Sequence, residues 1–161
     1  MYILDKNFKN LFKDKFQILI DEAKKSTCLR SKCGSIIINN QEIIGYGYNS
    51  PPLDLESQRR CENPKIIYNN KVTDKTCCIH AEERAIIDAL KNNSDKIKDS
   101  RLYFIRLDEN NNPKYSQEPY CTICSKLALD VGIKEFVLYK KDGFYVYKTQ
   151  EYNDLSFSYN D

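Results

Sequence analysis

CIHAEERAIIDAL, residues 78–90, carries the chain's single histidine where an irregular stretch gives way to a periodic one. Ala81, Ala85, Ile86 and Leu90 recur at helical spacing with charged residues between them, which predicts a helix from about His80 to Lys91. His80 therefore stands at a helix start, and Glu82 lies on the same first turn. In mid-helix, positions i and i+2 point apart, but at a first turn both can face a site beyond the helix end. Downstream, Cys121 and Cys124 open a second helical pattern that runs to Val131 and stops at Gly132. Two Cys at i, i+3 on a first turn point both sulfurs one way, and a helix N-terminus favours the thiolate that a metal needs. One His and two Cys give zinc three protein ligands and leave one tetrahedral position open, the pattern of a catalytic site. A carboxylate at Glu82 would then supply a proton shuttle beside it. Taken singly, these residues have ordinary readings. His80 could merely begin a helix, Cys121 and Cys124 could be buried apolar positions, and Glu82 could be a first-turn carboxylate favoured by the helix dipole, as could Glu83.

Outward from this pair, Phe8, Phe12, Phe16, Leu19 and Ala23 predict an amphipathic helix from about Asn7 to Lys25. GSIIIN (34–39) and QEIIGYGYN (41–49) read as an antiparallel hairpin turning at Asn39-Asn40. Ser100–Leu107 and Ile133–Lys140 are strand candidates, and Asp142-Gly143 turns the chain into FYVYK. Residues 50–76 have no period and are long for a connection, so they are either functional or locally stapled. Helix and strand alternate in the second half, which predicts an α/β fold with a mixed sheet covered on both faces. We read one domain over residues 1–161, with a core of about 27–140 and a tail of 141–161.

Composition narrows the function classes. Hydrophobic residues at 41% and charged residues at 30% fit a globular chain that can bury a core. Twenty-five basic and 23 acidic residues leave a net charge of +2, which gives no electrostatic reason to expect nucleic acid or a membrane surface as partner. No run reaches the ~18 apolar residues that span a bilayer, and MYILDKNFKN has no signal-peptide pattern. A cytoplasmic location is expected, where seven Cys, an odd number, read as metal ligands or buried thiols rather than disulfides. One His excludes a His-rich metal centre.

His80-Ala81-Glu82 followed by Cys121-x-x-Cys124 resembles the zinc-dependent cytidine and deoxycytidylate deaminase superfamily. The resemblance runs from about Thr27 to Tyr139, and CGSIII, GYGYNSPP and CTICSKLALDVGIKEFVLY also take part in it. It implies a three-layer α/β/α fold with a five-stranded mixed sheet, in which His80, Cys121 and Cys124 meet at one sheet edge around a catalytic zinc ion. GYNSPP resembles the deoxycytidylate type, which implies that Asn49 contacts the nucleotide; by itself the residue could equally end a strand before Pro51. The implied reaction is hydrolysis of dCMP to dUMP, with attack at C4 of cytosine and Glu82 moving protons to N3 and the departing amino group. The alternatives are deamination of another base or nucleoside, such as cytidine, guanine or a base in RNA, and a non-catalytic zinc module. The resemblance further implies a small nucleotide as partner and a homo-oligomer; Leu155–Tyr159 could pack on a neighbour or equally dock on its own domain. One departure stands out: the family places Pro directly before the first Cys, and here Tyr120 intervenes between Pro119 and Cys121.

Five Cys remain. The resemblance to deaminases with a second, structural zinc implies that Cys28, Cys61 and one or both of Cys77 and Cys78 could staple the 50–76 loop; the alternative is buried free thiols. Cys33 could join them or sit on the sheet. Arg30, Lys32, Arg59 and Arg60 flank the expected pocket and could bind a 5′-phosphate, or could be ordinary surface charge.

Overall fold

In the computed structural model of the chain, residues 1–4, 8, 10 and 12–159 are described. The strands are β1 (Tyr2–Leu4), β2 (Lys32–Asn39), β3 (Glu42–Tyr48), β4 (Arg101–Leu107), β5 (Pro113–Lys114), β6 (Glu135–Lys140) and β7 (Gly143–Lys148). The helices are α1 (Lys13–Lys24), α2 (Ala81–Asn92), α3 (Thr122–Asp130) and α4 (Thr149–Phe157). The start of the expected first helix, about Asn7, lies outside the described residues.

The sheet order is β1-β7-β6-β4-β2-β3, with β5 added to β4. Every pairing is antiparallel except β4 with β6, which α3 connects. Period-two alternation divides the core. Ile36, Tyr103, Ile105, Val137, Phe144 and Val146 face α1, where Phe12, Leu19 and Ala23 meet them. Ile37, Leu102, Phe104, Phe136 and Leu138 face the opposite side, against Ala81, Ala85, Ile86 and Ala89 of α2 and Ala128 of α3. The result is three layers, as expected. Among the described residues no helix is long and apolar enough to cross a membrane.

Three expectations are corrected. The sheet has seven strands, not five. Tyr2–Leu4 and Pro113–Lys114 hold three and two residues, too short for an alternation to show, and they add by backbone pairing to β7 and β4. The stretch expected as a tail supplies β7 and α4: Phe144, Val146 and Tyr152 are buried, and Tyr152 stacks on Phe136 with ring centroids 3.9 Å apart. On α2 the buried stripe runs through Ala89, and Leu90 is exposed.

The hairpin turns through Asn40 and Gln41, both at positive φ (46° and 67°), the twist that a two-residue connection between strands demands. Glycine decides how closely α2 approaches β3. A Cβ on Gly47 would stand 2.1 Å from the Ala81 carbonyl oxygen and 2.4 Å from the Ala85 nitrogen. One on Gly45 would stand 2.5 Å from the Ala85 carbonyl oxygen. Backbone on backbone leaves no side chain to yield, so Gly47→Ala is expected to push the first turn of α2 outward and destabilise the protein by about 1–3 kcal/mol. A lower urea midpoint at unchanged m-value is the expected reading; a midpoint equal to wild type would contradict this packing.

Candidate metal and catalytic site

The N-termini of α2 and α3 meet. His80 is the residue before α2, held by the Glu83 carboxylate, which accepts from the His80 backbone N–H at 2.9 Å. Glu83, read from sequence as a first-turn carboxylate, thus secures the turn that carries the histidine. Cys121 is the residue before α3, and Cys124 lies on its first turn, with the Ser125 backbone N–H donating to the Cys121 carbonyl at 3.0 Å.

His80 Nδ1 lies 3.3 Å from Cys121 Sγ and 3.2 Å from Cys124 Sγ, and the two sulfurs are 3.2 Å apart. Zinc–sulfur bonds of ~2.3 Å and zinc–nitrogen bonds of ~2.0–2.1 Å put tetrahedral ligand atoms roughly 3.5–3.8 Å apart. The three atoms converge on one small volume and need to open by only a fraction of an ångström, so the donor set and its spacing fit zinc. Contact among these groups polarises them. The hydrogen bond from Cys124, and after it His80, outweighs burial and brings the Cys121 thiol down to about 4. Its hydrogen bond to Cys121 raises His80 to about 9, and the Cys121 bond together with burial pushes Cys124 far up. Glu82 is buried beside them, and loss of solvent, with the Cys121 thiolate second, raises its carboxyl to about 7.

Asn49 directly follows β3 and is 8% exposed. Its Oδ1 accepts from Ser26 Oγ at 2.7 Å and from the Cys33 backbone N–H at 2.8 Å, and Nδ2 donates to the Ser31 carbonyl at 2.8 Å. This uses the oxygen twice and one of the two Nδ2 protons. Asn49 thereby fixes the start of β2 at Cys33, within electrostatic reach of Glu82.

The other cysteines form a second group. Sulfurs of Cys28, Cys61 and Cys78 lie within 4.8 Å of one another, and Cys77 Sγ is 3.3 Å from Cys61 Sγ. A thiol-only donor set of three or four suits a closed tetrahedral zinc site. Cys33 stands apart, against Ser31 Oγ at 3.4 Å.

The basic residues read as phosphate candidates are engaged elsewhere. Arg30 donates to the carbonyls of Cys61 (2.6 Å) and Asn63 (2.9 Å). Arg59 pairs with Glu56 and donates to the Thr27 carbonyl at 2.7 Å. Lys32 reaches Asn111 Oδ1 at 2.7 Å, and Arg60 makes only long contacts of 3.4 and 3.5 Å to the carbonyls of Arg59 and Ser57. Sequence reasoning missed Arg106, which lines a narrow cleft with Glu82, Phe104, Ser116, Tyr120 and Tyr152. The signal was available: Leu102, Phe104 and Arg106 share one face of β4 by alternation, so the charge points to the side of the sheet that carries α2 and α3.

Comparison with known proteins agrees with this geometry. The family model described as the cytidine and deoxycytidylate deaminase zinc-binding region matches residues 12–140. A deoxycytidylate deaminase of Schizosaccharomyces pombe is 27% identical over 120 residues, which cover 71% of this chain and 32% of the relative, so the chain spans about a third of that protein. A deoxycytidylate deaminase of Mycobacterium phage D29 is 26% identical over 126 residues, covering 74% of this chain and 86% of the relative. The solved dCMP deaminase of cyanophage S-TIM5 shares the fold, with a TM-score of 0.53 and 22% identity, covering 83% of this chain and 82% of that one. With a family model matched across most of its length and three donor atoms that could hold a metal gathered at two helix starts, the chain belongs to the cytidine and deoxycytidylate deaminase zinc-binding family.

Proposed function

We propose that the protein is a hydrolytic deaminase that converts dCMP to dUMP and ammonia. The observation that carries this reading is the convergence of His80, Cys121 and Cys124 within 3.3 Å, with Glu82 buried beside them. The relatives named deoxycytidylate deaminase favour the nucleotide. The three side chains hold zinc, which when bound supplies a Lewis acid and acidifies water at neutral pH. Glu82 does the proton work. Water adds at C4 of the cytosine, and the carboxylate carries one of its protons to N3 and then the other to the exocyclic nitrogen. The C4–N4 bond breaks, ammonia departs and the uracil carbonyl remains. Burial keeps bulk water from competing for these protons. Asn49 takes the sugar of the nucleotide with its remaining Nδ2 proton while it holds the Cys33 backbone.

Cys28, Cys61 and Cys78, with Cys77 beside them, are read as a second, structural zinc site that staples the 50–76 loop. Thiolate centres of this kind persist in a reducing compartment, which supports a cytoplasmic location. Self-association is supported by exposed apolar side chains: Ile66 and Leu53 are 90% and 85% exposed, and Phe157 is 65% exposed.

Ammonia release over dCMP, deoxycytidine, CMP, cytidine, guanine and adenosine tests the reaction. Glu82→Gln is expected to retain zinc and lose roughly 10²–10⁴-fold in kcat on dCMP. Release from dCMP at the wild-type rate in that variant would end the mechanism. Metal analysis is expected to find two zinc ions per chain, falling to one in Cys28→Ser/Cys61→Ser together with a lower Tm. One ion in both proteins would end the second site. Sedimentation is expected to show an oligomer, and a monomer at micromolar concentration would remove the association.

A further inference from the structure

Arg106 is a partly buried cation at the candidate active site whose charge the fold leaves unanswered. Among the described residues it forms no ion pair with a carboxylate. It donates from Nη2 to Tyr120 Oη at 2.9 Å and also meets the Cys33 thiol. Its Nε is buried without a partner, and so is Ser116 Oγ in the same cleft. Desolvating a guanidinium is costly unless an anion or a full set of acceptors compensates it. A carboxylate partner is missing here, although Arg59 has Glu56 and Arg101 has Glu135.

Position makes the missing anion informative. Arg106 lines the cleft that contains Glu82, and it also lines an adjoining open groove with Arg30, Ser31, Lys114 and the carboxylates Asp108 and Glu109. It therefore spans from the catalytic carboxylate to the mouth. Ser31 is the residue whose carbonyl Asn49 holds, so the groove begins where the sugar is read to sit. The brace is Tyr120, the residue inserted between Pro119 and Cys121. Its hydroxyl accepts from Nη2 and leaves Nε and the rest of the fork to an incoming oxyanion.

We propose that Arg106, oriented by Tyr120, receives the 5′-phosphate of the substrate and so sets the preference for a nucleotide over a nucleoside. The inference rests on the reading of the site as a cytosine-nucleotide deaminase. The guanidinium is a specificity residue here, and Tyr120 is a positioning residue that acts through it.

The test compares dCMP with deoxycytidine in the zinc-loaded protein, for wild type, Arg106→Gln, Arg106→Lys and Tyr120→Phe. A charge-assisted contact to phosphate is strong enough that Arg106→Gln is expected to raise KM for dCMP by at least about tenfold. The dCMP-over-deoxycytidine ratio of kcat/KM should fall by a similar factor. Arg106→Lys should recover part of the ratio, and Tyr120→Phe should lower it by about threefold through KM with kcat retained. An unchanged ratio in Arg106→Gln overturns the proposal, whether the two substrates lose equally or not at all, because an arginine that served packing or the base alone would affect both alike. If wild type releases ammonia from neither substrate, the deaminase reading falls separately. Calorimetric titration of dCMP into the zinc-loaded wild type and Arg106→Gln then decides the arginine: loss of affinity supports it, and equal affinity overturns it.

Discussion

The seating of α2 on β3 is the contact from which the rest of the site takes its position. Helix backbone lies on strand backbone at Gly45 and Gly47, closer than any side chain would permit. That contact fixes the height of the first turn of α2 above the sheet, and His80 and Glu82 sit on that turn. The partner helix α3 is placed by different means, through the parallel β4–β6 crossover and the packing of Ala128 and Cys124. Two independently seated helices thus bring three ligand atoms to within hydrogen-bonding distance of one another, a separation that depends on rigid secondary structure rather than on loops.

The layers and the convergence of the candidate side chains His80, Cys121 and Cys124 were legible in the sequence because each rests on a local signal. Leu102–Ile105 and Phe136–Leu138 are short continuous apolar runs, and the chain's single histidine stands two residues before a glutamate at a helix start. What escaped was pairing without pattern. Tyr2–Leu4 and Pro113–Lys114 join the sheet through backbone hydrogen bonds that any residue can make. The last twenty residues were harder for another reason. Their buried members, Phe144, Val146 and Tyr152, lie among charged and exposed neighbours, and their burial depends on distant partners such as Phe136.

The site also shows how side-chain chemistry is redistributed once the chain folds. Of four basic residues that looked available for an anion, Arg30 and Arg59 hold loops through backbone carbonyls that a surface reading cannot anticipate, and Lys32 reaches Asn111. Asn49 serves chiefly to order the backbone beside it. Arg106 drew no notice in the sequence, yet it lines the cleft with Glu82 and has no ion-pair partner among the described residues.

The two cysteine-bearing centres are separated by a single residue. Cys78 belongs to one, His80 to the other, and Ile79 between them is pinned to Ser50 by its backbone N–H at 2.9 Å. The chain entropy lost in ordering Cys78 has therefore largely been lost for His80 as well. Metal held at the thiol-only group would pre-organise the histidine of the other, and the two affinities would then be thermodynamically linked.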